Sequence, residues 1–208
     1  TTPTTNYVDV LKKNQNTILS SIPTTERSQF MQGLIKSASS GDKEQIKEAI
    51  YNGLVENSKQ GLNLAEERNK FETIGTIESA FKDFYNKGGK TNLISGTFSN
   101  ILNKLGTSKD AATQELLGKL TQIKQQYRNA ITGAAWGAQE DIEYNNLLGS
   151  LTSDKTKNLS ALGGAVSAAK SSYNNKLKTL TGKEVYNQFF IEPKVVKRWA
   201  KVLIYFLQ

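Results

Sequence analysis

One central stretch decides the fold: it reads LLGKLTQIKQQYRNAITGAAWGAQEDIEYNNLLGS over residues 116–150 and NLSALGGAVSAAKSSYNNKLKTL over residues 158–180. In each of its two outer arms, apolar residues recur three or four positions apart, which is the spacing of one helix face. The first stripe comprises Leu116, Leu120, Ile123, Tyr127, Ile131 and Ala134, and the second comprises Leu159, Leu162, Val166, Ala169, Tyr173, Leu177 and Leu180. The stretch therefore predicts two long amphipathic helices.

Small residues join the two arms in the segment TGAAWGA at positions 132–138. Small side chains let two backbones approach closely, and glycine allows the positive φ that a turn requires. We expect Gly133 and Ala134 to contact a neighbouring helix at this corner. Trp136 either fills the corner between the helices or anchors a partner protein. Glu140, Asp141 and Glu143 follow, and carboxylates there suit the positive end of a new helix.

The same stretch resembles a helical module found near the C-terminal ends of large tailed-phage virion proteins, of the tape-measure-like or DNA-ejection (internal virion) kind. The resemblance is carried by RNAITGAA at 128–135, by the acidic segment with Tyr144 and Leu147-Leu148, and by the leucine-striped arm with Gly182 and Tyr186. It departs where this chain has Gly137-Ala138 instead of Ser or Asp, and Gly149-Ser150 instead of Pro.

This resemblance implies a non-enzymatic structural protein that acts by helix-mediated assembly inside a phage particle. It implies other virion proteins, or copies of the chain itself, as partners, and we expect a homo-oligomer. The expected location is the virion, with the host cytoplasm as the place of assembly. No cofactor is implied.

Composition removes several kinds of catalytic site. The chain has 0 Cys and 0 His, so thiolate and imidazole ligands for zinc are absent, and a Ser-His-Asp triad lacks its base. The sequence GGKT at 88–91 resembles the end of a phosphate loop, but Phe84 stands where that motif needs its first glycine. The carboxylates Glu66 and Glu67 are expected at a helix start. We therefore expect no enzyme, no metal and no cofactor.

The whole chain is predicted to be all-α, with roughly seven to nine helices in an extended or loosely bundled arrangement that contains helix–corner–helix units. We divide it into an N-terminal helical region (1–106), a helical module with the small-residue corner (107–190) and a basic, apolar C-terminal helix (191–208). Residues 7–21 are predicted to form one modest helix. The sequon Asn158-Leu159-Ser160 is expected to be a chance match.

The C-terminal segment Lys194–Gln208 follows a helix break at Glu192-Pro193. It places Lys197 and Arg198 on one side of a helix and Trp199, Leu203 and Phe206 on the other. Such a segment is the last core helix, a helix that packs on another copy or partner, or a helix that lies on a membrane surface. We expect it to meet another protein surface.

A net charge of +8 supports an alternative function: a basic helical module that binds nucleic acid or anionic membrane. Lys119, Lys124 and Arg128 lie along one predicted helix near Tyr127, and lysines beside an aromatic residue suit a phosphate backbone. Such charges more often belong to a solvated helix face. DNA or membrane contact through this basic surface thus stays open beside the assembly function.

Overall fold

The computed structural model describes residues 6–90, 98–131 and 154–191, and within these ranges it contains nine helices and no strand. The predicted all-α class is confirmed. In chain order the helices are α1 (Tyr7–Lys13), α2 (Gln15–Leu19), α3 (Arg27–Ser39), α4 (Lys43–Asn57), α5 (Gly61–Asn86), α6 (Phe98–Gly106), α7 (Ala111–Ile131), α8 (Lys155–Thr181) and α9 (Lys183–Phe189).

Aspartate side chains start three of these helices by accepting hydrogen bonds from backbone N–H groups that have no partner within the helix. Asp42 Oδ1 accepts from the N–H of Glu44 at 2.9 Å. Asp110 Oδ2 accepts from the N–H of Thr113 at 2.8 Å. Asp154 Oδ1 accepts in the same way at the start of α8, at 2.8 Å.

Two local expectations were wrong. Residues 7–21 form two helices, α1 and α2, because the chain breaks at Asn14, whose side-chain amide donates to the carbonyl of Val10 at 2.8 Å. Such a side-chain bond competes with the helix ladder. Glu66 and Glu67 do not mark a helix start, since α5 begins at Gly61 and its first turn contains no acidic residue.

The chain divides into two compact units. Unit 1 comprises residues Thr1–Asn57 and Lys178–Gln208, and unit 2 comprises residues Ser58–Leu177. The division predicted from the sequence, with boundaries at residues 106/107 and 190/191, stays a prediction.

In unit 1 the N-terminal helices pack against α9. The rings of Tyr7 and Phe189 lie 5.3 Å apart between their centroids. Lys13 Nζ lies 3.2 Å from Glu184 Oε2, and Asn14 donates to the same oxygen. The core of this unit consists of Leu11, Ile18, Ile22, Phe30, Met31, Leu34, Ala38, Ile46, Ile50, Leu54, Leu180, Val185, Tyr186 and Phe189.

Unit 2 is built around α5, against which α7 mainly packs. Its hydrophobic core contains residues from α5, α6, α7 and α8: Ile74, Ile77, Ala80, Phe81, Phe84, Tyr85, Ile101, Leu105, Leu116, Leu120, Ile123, Leu162 and Ala169. Both predicted apolar stripes therefore reach the core, with Leu159 and Val166 partly buried against it.

Candidate interaction surfaces

The residues that the sequence singled out for interaction lie outside the part of the chain that the structure describes. They are Gly133, Ala134, Trp136, Lys197, Arg198, Trp199, Leu203 and Phe206. Their roles at a helix corner and in a C-terminal interaction helix stay predictions. The surfaces of the two units provide the geometry that follows.

Exposed ion pairs join α5 to α7. Lys119 Nζ lies 2.8 Å from Asp83 Oδ2 and 3.2 Å from Glu115 Oε1, and Lys87 pairs with Glu115 as well. Two carboxylates thus compensate the charge of Lys119, which the sequence had placed on a candidate phosphate-binding face. The side chains of Lys124 and Arg128, its predicted companions, lie outside the described residues.

These contacts lower the pKa values of both carboxyl groups. The hydrogen bond from Lys119, followed by its charge, lowers the pKa of Asp83. Hydrogen bonds from Lys87 and Lys119 lower the pKa of Glu115. A carboxyl group whose pKa is lower in the folded state stabilises the fold above its unfolded pKa, and this contribution is lost as the pH falls through the folded pKa.

We expect the cluster to make the stability of the protein fall in acid, below about pH 4.5, where unfolded carboxyl groups take up protons. The measurement is urea unfolding as a function of pH for the wild type and for Glu115→Gln. The variant should show a shallower loss below that pH. Glu66→Gln is the control, because Glu66 is exposed and has no ion pair among the described residues. Equal acid dependence in the two variants would rule out the role given to the cluster.

Helix α8 carries only positive charges along its length. Its sequence has lysine at 155, 157, 170, 176 and 178 and no Asp or Glu. Lys155 Nζ lies 5.7 Å from the centroid of the Tyr85 ring, and Lys170 Nζ lies 5.9 Å from that of Phe71, which are cation–π distances. Among the described residues no carboxylate pairs with any of these lysines. Lys155, Lys157, Lys170 and Lys176 belong to unit 2, and Lys178 belongs to unit 1.

The exposed side of α8 is made of small and hydroxyl-bearing residues. Exposed positions recur three or four apart, as one helix face requires: Lys157, Ser160, Ala161, Gly164, Ser167, Ala168, Ser171, Ser172 and Asn175. The sequence analysis identified the apolar stripe of this helix but not the small and hydroxyl-bearing residues on its opposite side. The absence of acidic residues between Lys155 and Lys183 was the signal available.

A buried hydrogen bond fixes the beginning of α8 against the end of α5. Asn158 is 1% exposed, and its side-chain amide donates to the Tyr85 hydroxyl at 2.8 Å. Its burial accords with a chance sequon, since a glycan needs an accessible asparagine. A buried polar group that loses its partner is costly. This bond therefore holds the first turns of α8, and the lysines on them, in place against α5.

Removing the Tyr85 hydroxyl is expected to destabilise the protein. In Tyr85→Phe the buried Asn158 amide loses this acceptor, so we expect the unfolding free energy to fall by about 1–2 kcal/mol. Tyr7→Phe is the matched control, because no hydrogen bond of the Tyr7 hydroxyl is found among the described residues. Urea denaturation measures both variants. An equal effect in the two would show that the Asn158–Tyr85 bond contributes nothing.

In the ranges that the structure describes, no cluster of three or more carboxylate, imidazole or thiol side chains is placed to hold a metal ion. None of the helices described is both long and apolar enough to span a bilayer. No family model, no curated protein and no solved structure matches the chain.

Proposed function

We propose that the chain is a non-enzymatic structural protein of a tailed-phage particle, of the tape-measure or genome-ejection kind, that acts by helix-mediated assembly. The resemblance at residues 128–148 and 182–186 supports this function. The all-helical architecture supports it as well, because proteins of that kind are expected to associate by packing helices against one another. Its partners are other virion proteins or further copies of the chain.

The observation that carries the proposal is the docking of α9 in unit 1. Val185 and Phe189 of α9 are buried, and the Lys13–Glu184 ion pair holds the same helix. Lys194–Gln208, the predicted interaction segment, follows α9 closely in sequence. A partner that binds this segment is therefore tethered through α9 to a folded unit, as a structural subunit requires.

Apolar burial provides the driving force. Trp199, Leu203 and Phe206 lie in a segment whose last residues are mostly apolar. Each such side chain contributes roughly 1.5–3 kcal/mol when another surface covers it. If they were left in water, these apolar side chains would form a patch larger than monomers usually expose. A protein surface on a second copy or a virion partner removes that cost.

Deletion of residues 192–208 tests this assembly function. We expect the full chain to sediment as an oligomer and the truncated chain to sediment as a monomer. The truncated chain should keep its helical circular dichroism, since the buried residues of α9 remain. Sedimentation velocity at about micromolar concentration is the measurement.

Two substituted full-length chains separate apolar packing from charge. Trp199→Ser with Leu203→Ser should dissociate the oligomer, whereas Lys197→Gln with Arg198→Gln should leave it intact. An unchanged oligomeric state in the truncated chain would contradict the proposal. If the truncated chain lost only its binding to liposomes, the segment would instead be a membrane-surface helix.

A further inference from the structure

We infer that α9 exchanges between copies of the chain: α9 of one copy docks against α1 and α4 of a second copy, and Gly182 is the hinge. The partner is therefore an identical chain. Both the docking helix and the surface that receives it belong to unit 1. The assembly proposed for Lys194–Gln208 does not require this exchange, and the exchange does not require that segment.

The closed chain shows which surface receives α9. This helix packs against α1 and α4, and Phe189 is 2% exposed. The ring centroid of Phe189 lies 5.3 Å from that of Tyr7 on α1, and Lys13 Nζ lies 3.2 Å from Glu184 Oε2. An exchanged pair of copies keeps every one of these contacts, because the identical groups of the second copy form them.

A single residue separates α9 from α8. Gly182 has φ 83° and ψ 156°, and the chain turns there. Its N–H donates to the carbonyl of Lys178 at 2.9 Å, and its own carbonyl accepts from the N–H of Tyr186 at 3.0 Å. Both bonds have the i to i−4 spacing of an α-helix, so the helical pattern reaches Gly182 from both sides. Rotation about the backbone of this one residue is therefore enough to join α8 and α9 into one continuous helix.

The continuous helix would carry α9 away from its own docking surface. It would place α9 beyond the end of α8 as a further length of about 10 Å, at 1.5 Å per residue. The first N–H groups of α9, for which Gly182 provides no side-chain cap, would then donate to the last carbonyls of α8. Opening costs the contacts with α1 and α4, and docking on a second copy restores them. A short hinge between packed elements favours such an exchange.

Local concentration decides between the closed and the exchanged forms. In the closed chain, the short connection holds α9 beside its own surface at an effective concentration of about millimolar. The closed form therefore prevails when separate copies are dilute. Exchange competes when copies meet at about millimolar local concentration, as they do when they are held side by side.

The test uses the wild-type full chain and its own ion pair. Isotopically light and heavy chains are mixed, unfolded in urea and refolded together at about millimolar concentration. A carbodiimide then joins Lys13 to Glu184 through an amide bond, since their charged groups lie 3.2 Å apart. Mass spectrometry detects the joined peptides. We expect abundant peptides that contain one light and one heavy partner, which form only between copies.

Lys119 and Asp83 provide the control within the same reaction. Their charged groups lie 2.8 Å apart, so the carbodiimide joins them as well. Both residues belong to unit 2, and rotation at Gly182 leaves their pairing within one chain. Mixed-isotope peptides should therefore be nearly absent at this pair.

Two hinge variants should shift the exchange in opposite directions. At a concentration where wild-type exchange is incomplete, Gly182→Ala should raise the ratio of mixed to unmixed Lys13–Glu184 peptides roughly tenfold, because alanine disfavours the closed backbone angles and favours a continuous helix. Inserting a flexible Gly/Ser segment after Gly182 should lower the ratio, because a longer connection lets α9 return to its own unit. Gly33→Ala, inside α3, should leave it unchanged. Circular dichroism verifies that each variant is folded.

Three outcomes overturn the inference. The first is a Lys13–Glu184 product without mixed-isotope peptides at millimolar concentration. The second is equal mixing at the Lys119–Asp83 pair, which would show general association of chains and not exchange of α9. The third is a ratio that does not rise in Gly182→Ala, which would show that Gly182 is not the hinge. Sedimentation of the chain truncated before residue 192 tests the assembly function separately, so failure of one proposal is distinguishable from failure of the other.

Discussion

Replacing Phe81 with alanine is expected to lower the unfolding free energy by about 3–5 kcal/mol, the usual cost of removing a fully buried phenyl ring. Phe81 is 0% exposed and lies in the core of unit 2 beside Tyr85, with ring centroids 6.2 Å apart. The substitution leaves a cavity among residues of α5, α6, α7 and α8 that relaxation fills only in part. Urea denaturation gives the free-energy difference.

Leu62→Ala is the control for this prediction, since Leu62 lies on the same helix but is 68% exposed. Its expected effect is within about 0.5 kcal/mol, as for surface substitutions generally. A loss below about 1 kcal/mol for Phe81→Ala would contradict the packing of unit 2, because no buried phenyl ring is removed so cheaply.

Replacing Gly182 with alanine is expected to destabilise the protein by about 1–3 kcal/mol through backbone strain alone. Gly182 separates α8 from α9 at φ 83° and ψ 156°, a conformation that only glycine adopts readily. Its N–H donates to the carbonyl of Lys178 at 2.9 Å. A Cβ there would also lie 3.3 Å from Thr17 Cγ2, so the change disturbs packing within unit 1.

Gly33→Ala should change stability in the opposite direction. Gly33 lies inside α3 with nothing within 4 Å of its Cβ position, and alanine there gains roughly 0.5–1 kcal/mol of helix stability. Thermal unfolding of both variants gives the two signs directly. Stabilisation by both substitutions would show that Gly182 does not need its positive φ.

The helices could be predicted because their signals are local. Asp42, Asp110 and Gly182 mark helix ends through hydrogen bonds and backbone angles within a few residues of themselves. The apolar stripes of α7 and α8 repeat within a single helix. The break at Asn14 was not predicted, because the apolar spacing continues through it and only a side-chain hydrogen bond interrupts the helix.

Contacts between residues that are far apart in the sequence could not be predicted from one sequence. Helical spacing says that Leu116 and Leu120 face a neighbour, but not that α7 packs mainly on α5. The Asn158–Tyr85 bond joins residues 73 positions apart, and no local pattern records it. For the same reason the sequence does not indicate that Lys119 pairs with Asp83, which lies 36 positions away.

Purified phage particles provide the most direct test of the assembly function. Quantitative mass spectrometry of particles from cells that produce this chain should find it at a fixed number of copies per particle, retained through washing at high salt. Apolar helix packing resists such salt, whereas exposed charge contacts are screened. A chain that is abundant in the lysate but absent from the washed particles would contradict the account.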